Sequence, residues 1–298
     1  MTVPPVNLPQ LGLGGGPLGN YLVPITDDQA YAVVDAAWEA GIRYFDTAPF
    51  YGNGLSERRM GMALRARPRE SFILSTKVGR LVRPGPGEPG IFDVPPTHHC
   101  EWDFSRDGVL RSVDESVERL GIDRVDVVLL HDPDRHWPQA LDEALPTLAE
   151  LRAQGVVRAV GVGMNQAEML DRFVKYADPD LVLAANTCTL LRRTALAELL
   201  PRCESQGVAV VAASVFDRGL LATDPGADAP GEIQRIGRVC ARHGVPLAAA
   251  AMRFPLRQPA VRSILVGAHL PGQIRANMNA FARDIPDEFW ADLERVLP

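Results

Sequence analysis

At 298 residues, 46% of them hydrophobic, the chain is long enough for two average domains or for one large α/β barrel. A net charge of −6, with no basic run on any predicted helix face, gives no attraction to nucleic acid or anionic lipid and leaves small neutral or polar molecules as the expected partners. The longest apolar runs, near residues 208–215 and 245–252, fall far short of the ~20 residues of a membrane span, and the Pro- and Gly-rich start with no Lys or Arg before Arg43 lacks the design of a signal peptide, so a soluble, cytoplasmic protein is expected.

Residues 11–14 read as a short strand, followed by Gly15-Gly16-Pro17-Leu18-Gly19. Gly14, Gly16 and Gly19 spell G-x-G-x-x-G, but a dinucleotide fingerprint needs a helix that opens inside the glycine run and an acid that closes the second strand. Here Pro17 intervenes, the next helix starts near Asp27 and the candidate acid, Asp35, lies within it, so the pattern is set aside. Helix 27–40 stops at Gly41, strand 43–47 follows, and helix 56–64 has Ser56 as its candidate cap. Strand 72–77 runs into a long Pro- and Gly-rich loop, 79–106, and helix 107–120 then carries Val109, Val113, Val117 and Leu120 at helical spacing before Gly121.

Residues 125–131 are apolar apart from Asp126 and the terminal His131, as suits a strand buried on both faces. Helix 140–154, strand 157–162, helix 166–176, strand 181–186, helix 194–206 and strand 208–214 continue the alternation. A second long loop, 217–231, leads to helices near 232–243 and 246–257, a last strand at 262–266 and a helix from about Pro271. Eight strands, each followed by helical sequence, predict an α/β fold of the (β/α)8 TIM barrel type, one domain over 1–298, with both long loops on the face where such barrels carry their sites.

Four cysteines, Cys100, Cys188, Cys203 and Cys240, show no C-x-x-C spacing and read as reduced thiols. His98, His99 and Cys100 are adjacent, but neighbours in a loop rarely converge on one ion and no second cluster supplies further ligands, so no metal is expected.

Asp46, Lys77 and His131 end three consecutive strands, and Tyr51 follows Asp46 just above. Only Lys77 and Lys175 of 31 basic residues are not Arg, so the ammonium at Lys77 suits a task that needs a compact charge. A phenol is a poor acid and a worse base near neutrality; a nearby ammonium lowers its pKa, a carboxylate keeps the ammonium charged, and an imidazole orients a carbonyl or hydroxyl oxygen. None of the four is a Ser or Cys nucleophile. The array moves a proton to or from oxygen while something else handles the carbon.

The stretch Tyr44-Phe45-Asp46-Thr47-Ala48-Pro49-Phe50-Tyr51-Gly52, the pair Thr76-Lys77 and the run from Asp126 to Pro133 resemble, in order, the tetrad segments of the aldo-keto reductase superfamily. The resemblance covers essentially the whole chain. It implies Asp46, Tyr51, Lys77 and His131 as the tetrad, Tyr51 as general acid/base, and NAD or NADP as hydride carrier. Residues 75–83, 104–112 and 131–134 are similar to the aldose dehydrogenase branch, whose members oxidise L-fucose or related D-threo-aldoses at C1 to lactones; pyridoxal dehydrogenases are similar, which gives one alternative substrate. Another alternative is a cofactor-sensing or regulatory subunit on the same fold without turnover, and a third is an unrelated metal-dependent barrel hydrolase.

The likeness also implies cofactor contacts. Asn165 stands after the fifth strand, where Gly163-Met164 replaces a family Ser; Asn186 stands where a Gln is common; Ser214, Phe216 and Gly219 lie after the seventh strand. In NADP-preferring relatives a Lys-Ser pair and an Arg follow the last strand, whereas this chain has Gly267-Ala268 and Gln273, with Asn277 retained, so NAD is expected to be preferred or both used. Tyr21, Phe50, Trp102 and Phe104 are candidates for the wall of a pocket that takes a sugar or aldehyde.

Overall fold

The computed structural model describes residues 6–87, 90–226 and 228–297. Among them, eight parallel strands close a barrel in the order β1 (Leu11–Gly14), β2 (Tyr44–Asp46), β3 (Ile73–Val78), β6 (Val127–His131), β7 (Ala159–Met164), β8 (Leu181–Ala185), β9 (Ala209–Ala213), β10 (Val261–Val266) and back to β1. The remaining two, β4 (Arg80–Pro84) and β5 (His98–Trp102), form an antiparallel hairpin between β3 and β6. The expected alternation is thus observed as a (β/α)8 barrel.

Alternation along each strand divides the apolar side chains between two layers. Tyr44, Val127, Leu129, Leu181, Leu183, Val211 and Leu265 fill the interior. Phe45, Leu74, Val128, Leu130, Val160 and Val182 face outward against the helices. A Cβ on Gly12 would come 2.8 Å from the Tyr44 ring, so the glycine makes room for an aromatic inside the barrel. Asp126 lies just before β6, away from the strand's carboxyl end, where its buried carboxylate accepts the Leu74 amide at 2.8 Å and pairs with Arg69.

The helices are α1 (Asp27–Glu39), α2 (Leu55–Leu64), α3 (Arg106–Leu120), α4 (Trp137–Gln139), α5 (Leu145–Ala153), α6 (Ala167–Ala177), α7 (Leu199–Gln206), α8 (Gly231–His243), α9 (Leu247–Leu256), α10 (Pro271–Phe281) and α11 (Asp287–Glu294). Several sequence expectations are corrected. Ser56 does not cap α2; Gly54, left-handed at φ 83°, occupies that position, and the Ser56 hydroxyl instead donates to the Gly15 carbonyl at 2.7 Å and meets Thr47 at 2.8 Å. The predicted helix 140–154 is split, because a π-helical turn spans Ala140–Ala144 and Pro146, at the start of α5, cannot donate the next helical bond. The predicted helix 194–206 begins only at Leu199, which places Pro201 in the first turn, where its missing N–H has no helical partner to lose. Loop 79–106 holds the hairpin, and α11 extends beyond the last predicted helix.

The glycine pattern opens only the short 3-10 turn Pro17–Gly19, with α1 starting at Asp27. Gly19 serves packing: a Cβ there would lie 2.6 Å from the Tyr51 carbonyl carbon, and one on Gly52, at φ +65°, would lie 2.5 Å from the Gly19 oxygen. Two bare backbones therefore touch and hold the loop that carries Tyr51.

Candidate active site

Inward-facing positions recur every second residue, which puts Tyr44 and Asp46 of β2, Ser75 and Lys77 of β3, and Leu129 and His131 of β6 on the same side of the sheet. Gly163 of β7 borders the lysine: a Cβ there would make ordinary contact, 3.8 Å from the Lys77 Cε and 3.4 Å from Leu183 Cβ. The strand register thus delivers three of the four expected groups to the barrel mouth.

Lys77 is 1% exposed, and its Nζ donates to Asp46 Oδ2 at 2.7 Å and to the Thr47 carbonyl at 2.9 Å. The Ser75 hydroxyl donates to the other oxygen, Asp46 Oδ1, at 2.7 Å. Both carboxylate oxygens are thus engaged, as a buried charge requires. Burial works against the ammonium, but Asp46 and then Tyr51 outweigh it and hold the Lys77 pKa above its ordinary value.

Tyr51 comes from the loop after β2, with Lys77 Nζ 4.7 Å from its ring centroid and the His131 ring edge-on at 5.8 Å between centroids. Its pKa departs from expectation. Lys77 pulls it down, but burial is the larger effect and Asp46 adds to it, so the phenol titrates above its ordinary value and stays protonated at neutral pH. Burial, with the positive Arg80 and Lys77 nearby, drives His131 the other way, well below the usual imidazole range. The ring is therefore neutral, with one N–H to donate; its Nδ1 is buried and unpartnered among the described residues.

Four aromatic groups gather above. Phe92 packs 5.7 Å from Tyr51, 5.3 Å from Phe50 and 5.7 Å from Tyr21, while Phe50 meets the His131 ring at 5.9 Å. Trp102 ends β5 and is 44% exposed. Phe104 does not line an open wall: it is fully buried, with Trp102 stacked on it at 5.9 Å and the His136 ring 5.2 Å away.

The residues expected to meet a cofactor lie along the far side of the same rim. Asn165 is exposed just after β7. Asn186, left-handed at φ 59°, follows β8 and has a buried Oδ1 without a partner among the described residues. Ser214, at φ 58°, and Gly219 are exposed after β9, and Phe216 packs partly against the core. Gly267 is exposed after β10, and Asn277 is buried in α10. Gln273 is already engaged, its Oε1 accepting the amides of His269 at 2.7 Å and Leu270 at 3.2 Å at the start of α10.

The sequence reading missed Ser75, Phe92, Arg80 and Asp132. Ser75 had a signal, since it lies two residues before Lys77 on one strand. Phe92 had none, because only the hairpin brings it over Tyr51. Among the described residues no three His, Cys, Asp or Glu side chains converge as a metal site would require, and no helix is long and apolar enough to cross a membrane.

Comparison with known proteins agrees with this geometry. A sequence profile described as "Aldo/keto reductase family" matches residues 10–298. The chain is 45% identical to a D-threo-aldose 1-dehydrogenase of Pseudomonas sp, over 98% of this chain and 95% of that one. It is 40% identical to a pyridoxal 4-dehydrogenase of Microbacterium luteolum, over 95% and 92% of the two chains. Among solved structures, a glycerol dehydrogenase from Gluconobacter oxydans superposes with a TM-score of 0.81 at 26% identity, covering 100% of this chain and 94% of that one. A closed barrel that gathers Asp46, Tyr51, Lys77 and His131 at one mouth, matched over nearly its full length, makes this chain a member of the aldo/keto reductase family.

Proposed function

We propose that this NAD(P)-dependent oxidoreductase interconverts an aldose hemiacetal, or a related aldehyde, with its oxidised or reduced partner, using Tyr51 as general acid/base. The observation that carries this reading is the buried Lys77–Asp46 pair, 2.7 Å apart, beneath a tyrosine that faces a neutral histidine. The family and its dehydrogenase relatives imply a nicotinamide cofactor, which supplies or accepts hydride at carbon when bound. The residues present fit such a group: the orphaned Asn186 carboxamide oxygen needs an N–H donor, and a carboxamide offers one. Asn165, Ser214, Phe216 and Gly219 are our further candidates for holding it.

His131 donates its N–H to the substrate oxygen and holds it toward Tyr51. Tyr51 gives that oxygen a proton in reduction and takes it back in oxidation. Lys77 stabilises the negative charge that develops on the phenol as its proton leaves, and Asp46 with Ser75 fixes the ammonium in place. The aldose relative favours a D-threo-aldose as substrate, and the pyridoxal relative makes pyridoxal the first alternative to assay. Unpaired cysteines suit a cytoplasmic setting.

Removing the phenolic proton tests the mechanism. Tyr51→Phe is expected to lower kcat at least about a hundredfold with cofactor affinity retained, measured by absorbance at the nicotinamide band and by cofactor titration. Wild-type-like turnover in that variant would remove the role from Tyr51, whereas tight nucleotide binding by the wild type with no turnover on any aldose or aldehyde would favour a sensor.

Cofactor choice follows from the segment after β10. A ribose 2′-phosphate asks for a guanidinium or ammonium, each charge-assisted hydrogen bond contributing ~1.5–3 kcal/mol. Gly267 and Ala268 supply no side-chain donor, and Gln273 spends its oxygen on its own helix. NAD is therefore expected to be preferred or matched by NADP. A kcat/KM for NADP more than about tenfold above that for NAD, roughly 1.4 kcal/mol, would show that Arg275 or Arg218 reaches the phosphate.

A further inference from the structure

Beside the tetrad stands a second charged pair; its arginine helps to hold His131 neutral, but neither member has a place in the proton transfer itself. Arg80 opens β4, and Asp132 follows His131 in a left-handed conformation at φ 47°, its amide bonded to the Gly163 carbonyl. Arg80 Nη2 donates to Asp132 Oδ2 at 2.5 Å. The guanidinium carbon lies 3.9 Å from the Trp102 ring centroid and 4.1 Å from that of Phe50, so two aromatic rings fix its plane.

Three features separate this pair from a simple fastening of hairpin to barrel. Asp132 Oδ2 is 3.8 Å from His131 Nε2, which puts the pair beside the group that would hold the reacting oxygen. The Asp132 side chain remains 31% exposed although Arg80 is nearly buried. Arg80 Nε is buried without a partner among the described residues, an unmet donor in a cation that has already lost most of its water. Guanidinium and carboxylate side by side offer a donor and an acceptor together, and a hydroxyl group can accept from the one while donating to the other. Neighbouring oxygens on a carbon chain are about a hydrogen-bond length apart. With the reacting oxygen at His131, a hydroxyl on the next carbon can reach this pair, whose Asp132 Oδ2 lies 3.8 Å from His131 Nε2.

We propose that Arg80 and Asp132 form a specificity subsite that reads the hydroxyl on the carbon next to the reacting carbonyl, with the exposed Trp102 ring as its apolar wall. The substrate class is accordingly a 2-hydroxyaldehyde or the hemiacetal of one. This inference rests on the reading of Tyr51 and His131 as the groups that engage the reacting oxygen.

The test compares glycolaldehyde with acetaldehyde, which lacks only that hydroxyl, and adds a D-threo-aldose, for wild type, Asp132→Asn and Arg80→Gln. The readout is the ratio of kcat/KM between the hydroxylated and plain aldehyde. Wild type is expected to favour glycolaldehyde, and each variant to cut that ratio at least about tenfold, chiefly through KM. Melting curves with cofactor establish that the variants fold, and Arg80→Lys replaces either variant that does not. A ratio that stays within about twofold while both rates fall together would mark the pair as structural and overturn the subsite. A wild type with no preference for the hydroxylated aldehyde would overturn it as well. Absence of turnover by wild type on all three substrates with either cofactor would instead defeat the acid/base reading beneath it.

Discussion

His131 enters the folded chain as a neutral ring, because burial first, then Arg80 and Lys77, oppose its protonation. The unfolded chain has no such restraint and takes up a proton near the ordinary value of about 6.5. Between that value and the lower folded one, the unfolded state binds more protons, so stability rises with pH and falls as pH drops below about 6.5. Urea unfolding of wild type between pH 7.5 and 5.5 should show this loss, and His131→Gln should show a shallower slope by up to ~1.4 kcal/mol per pH unit. Equal slopes would mean that the imidazole is not held neutral. At this scale the sequence told a good deal: the positions of Asp46, Lys77 and His131 at strand ends followed from the strand boundaries alone. What it could not tell was the balance of effects on Tyr51. An ammonium neighbour was legible, but the burial that overcomes it depends on Phe92 and on Gly19 pressed against Gly52.

The hairpin β4–β5 is the element that converts a generic barrel mouth into a particular one. It carries Arg80 and Trp102 at one end, and its connecting segment brings Phe92 onto Tyr51 and Tyr21. Pro84 and His98 are register partners, so replacing residues 85–97 by Asn-Gly keeps the pairing and closes it with a two-residue turn. That variant is expected to lower kcat/KM for an aldose by about tenfold, or roughly 1.4 kcal/mol, while changing the cofactor Kd by less than about threefold. Steady-state rates and nucleotide titration check both halves, and loss confined to cofactor affinity would mean that the segment serves the nucleotide instead. The hairpin escaped sequence reading because it has no apolar run: His98 to Trp102 alternate polar groups on a ribbon outside the barrel, where no core imposes a pattern. The π-helical turn escaped for a related reason, since a proline signals a break without saying which residues absorb it.

For the molecule as a whole, strand–helix alternation was enough to give the barrel, yet the pairing that closes it is invisible locally. Leu11 lies opposite Ile264 and Gly12 opposite Leu265, so the first strand is completed by the last. Every tetrad side chain belongs to β2, β3, β6 or the loop after β2, all of which leave the ribosome early. A growing chain that stopped short of Val261 and paired its other strands as in the finished barrel would hold Asp46, Tyr51, Lys77 and His131 on a sheet with two raw margins, β1 and β9, whose backbone amides and carbonyls would face no neighbour. Strands apolar on both sides, left open in this way, pair readily with those of another unfinished chain. Arrival of the final strand would cover both margins at once, since β10 pairs with β1 on one side and β9 on the other, and would remove the edges through which such a chain could template its own aggregation.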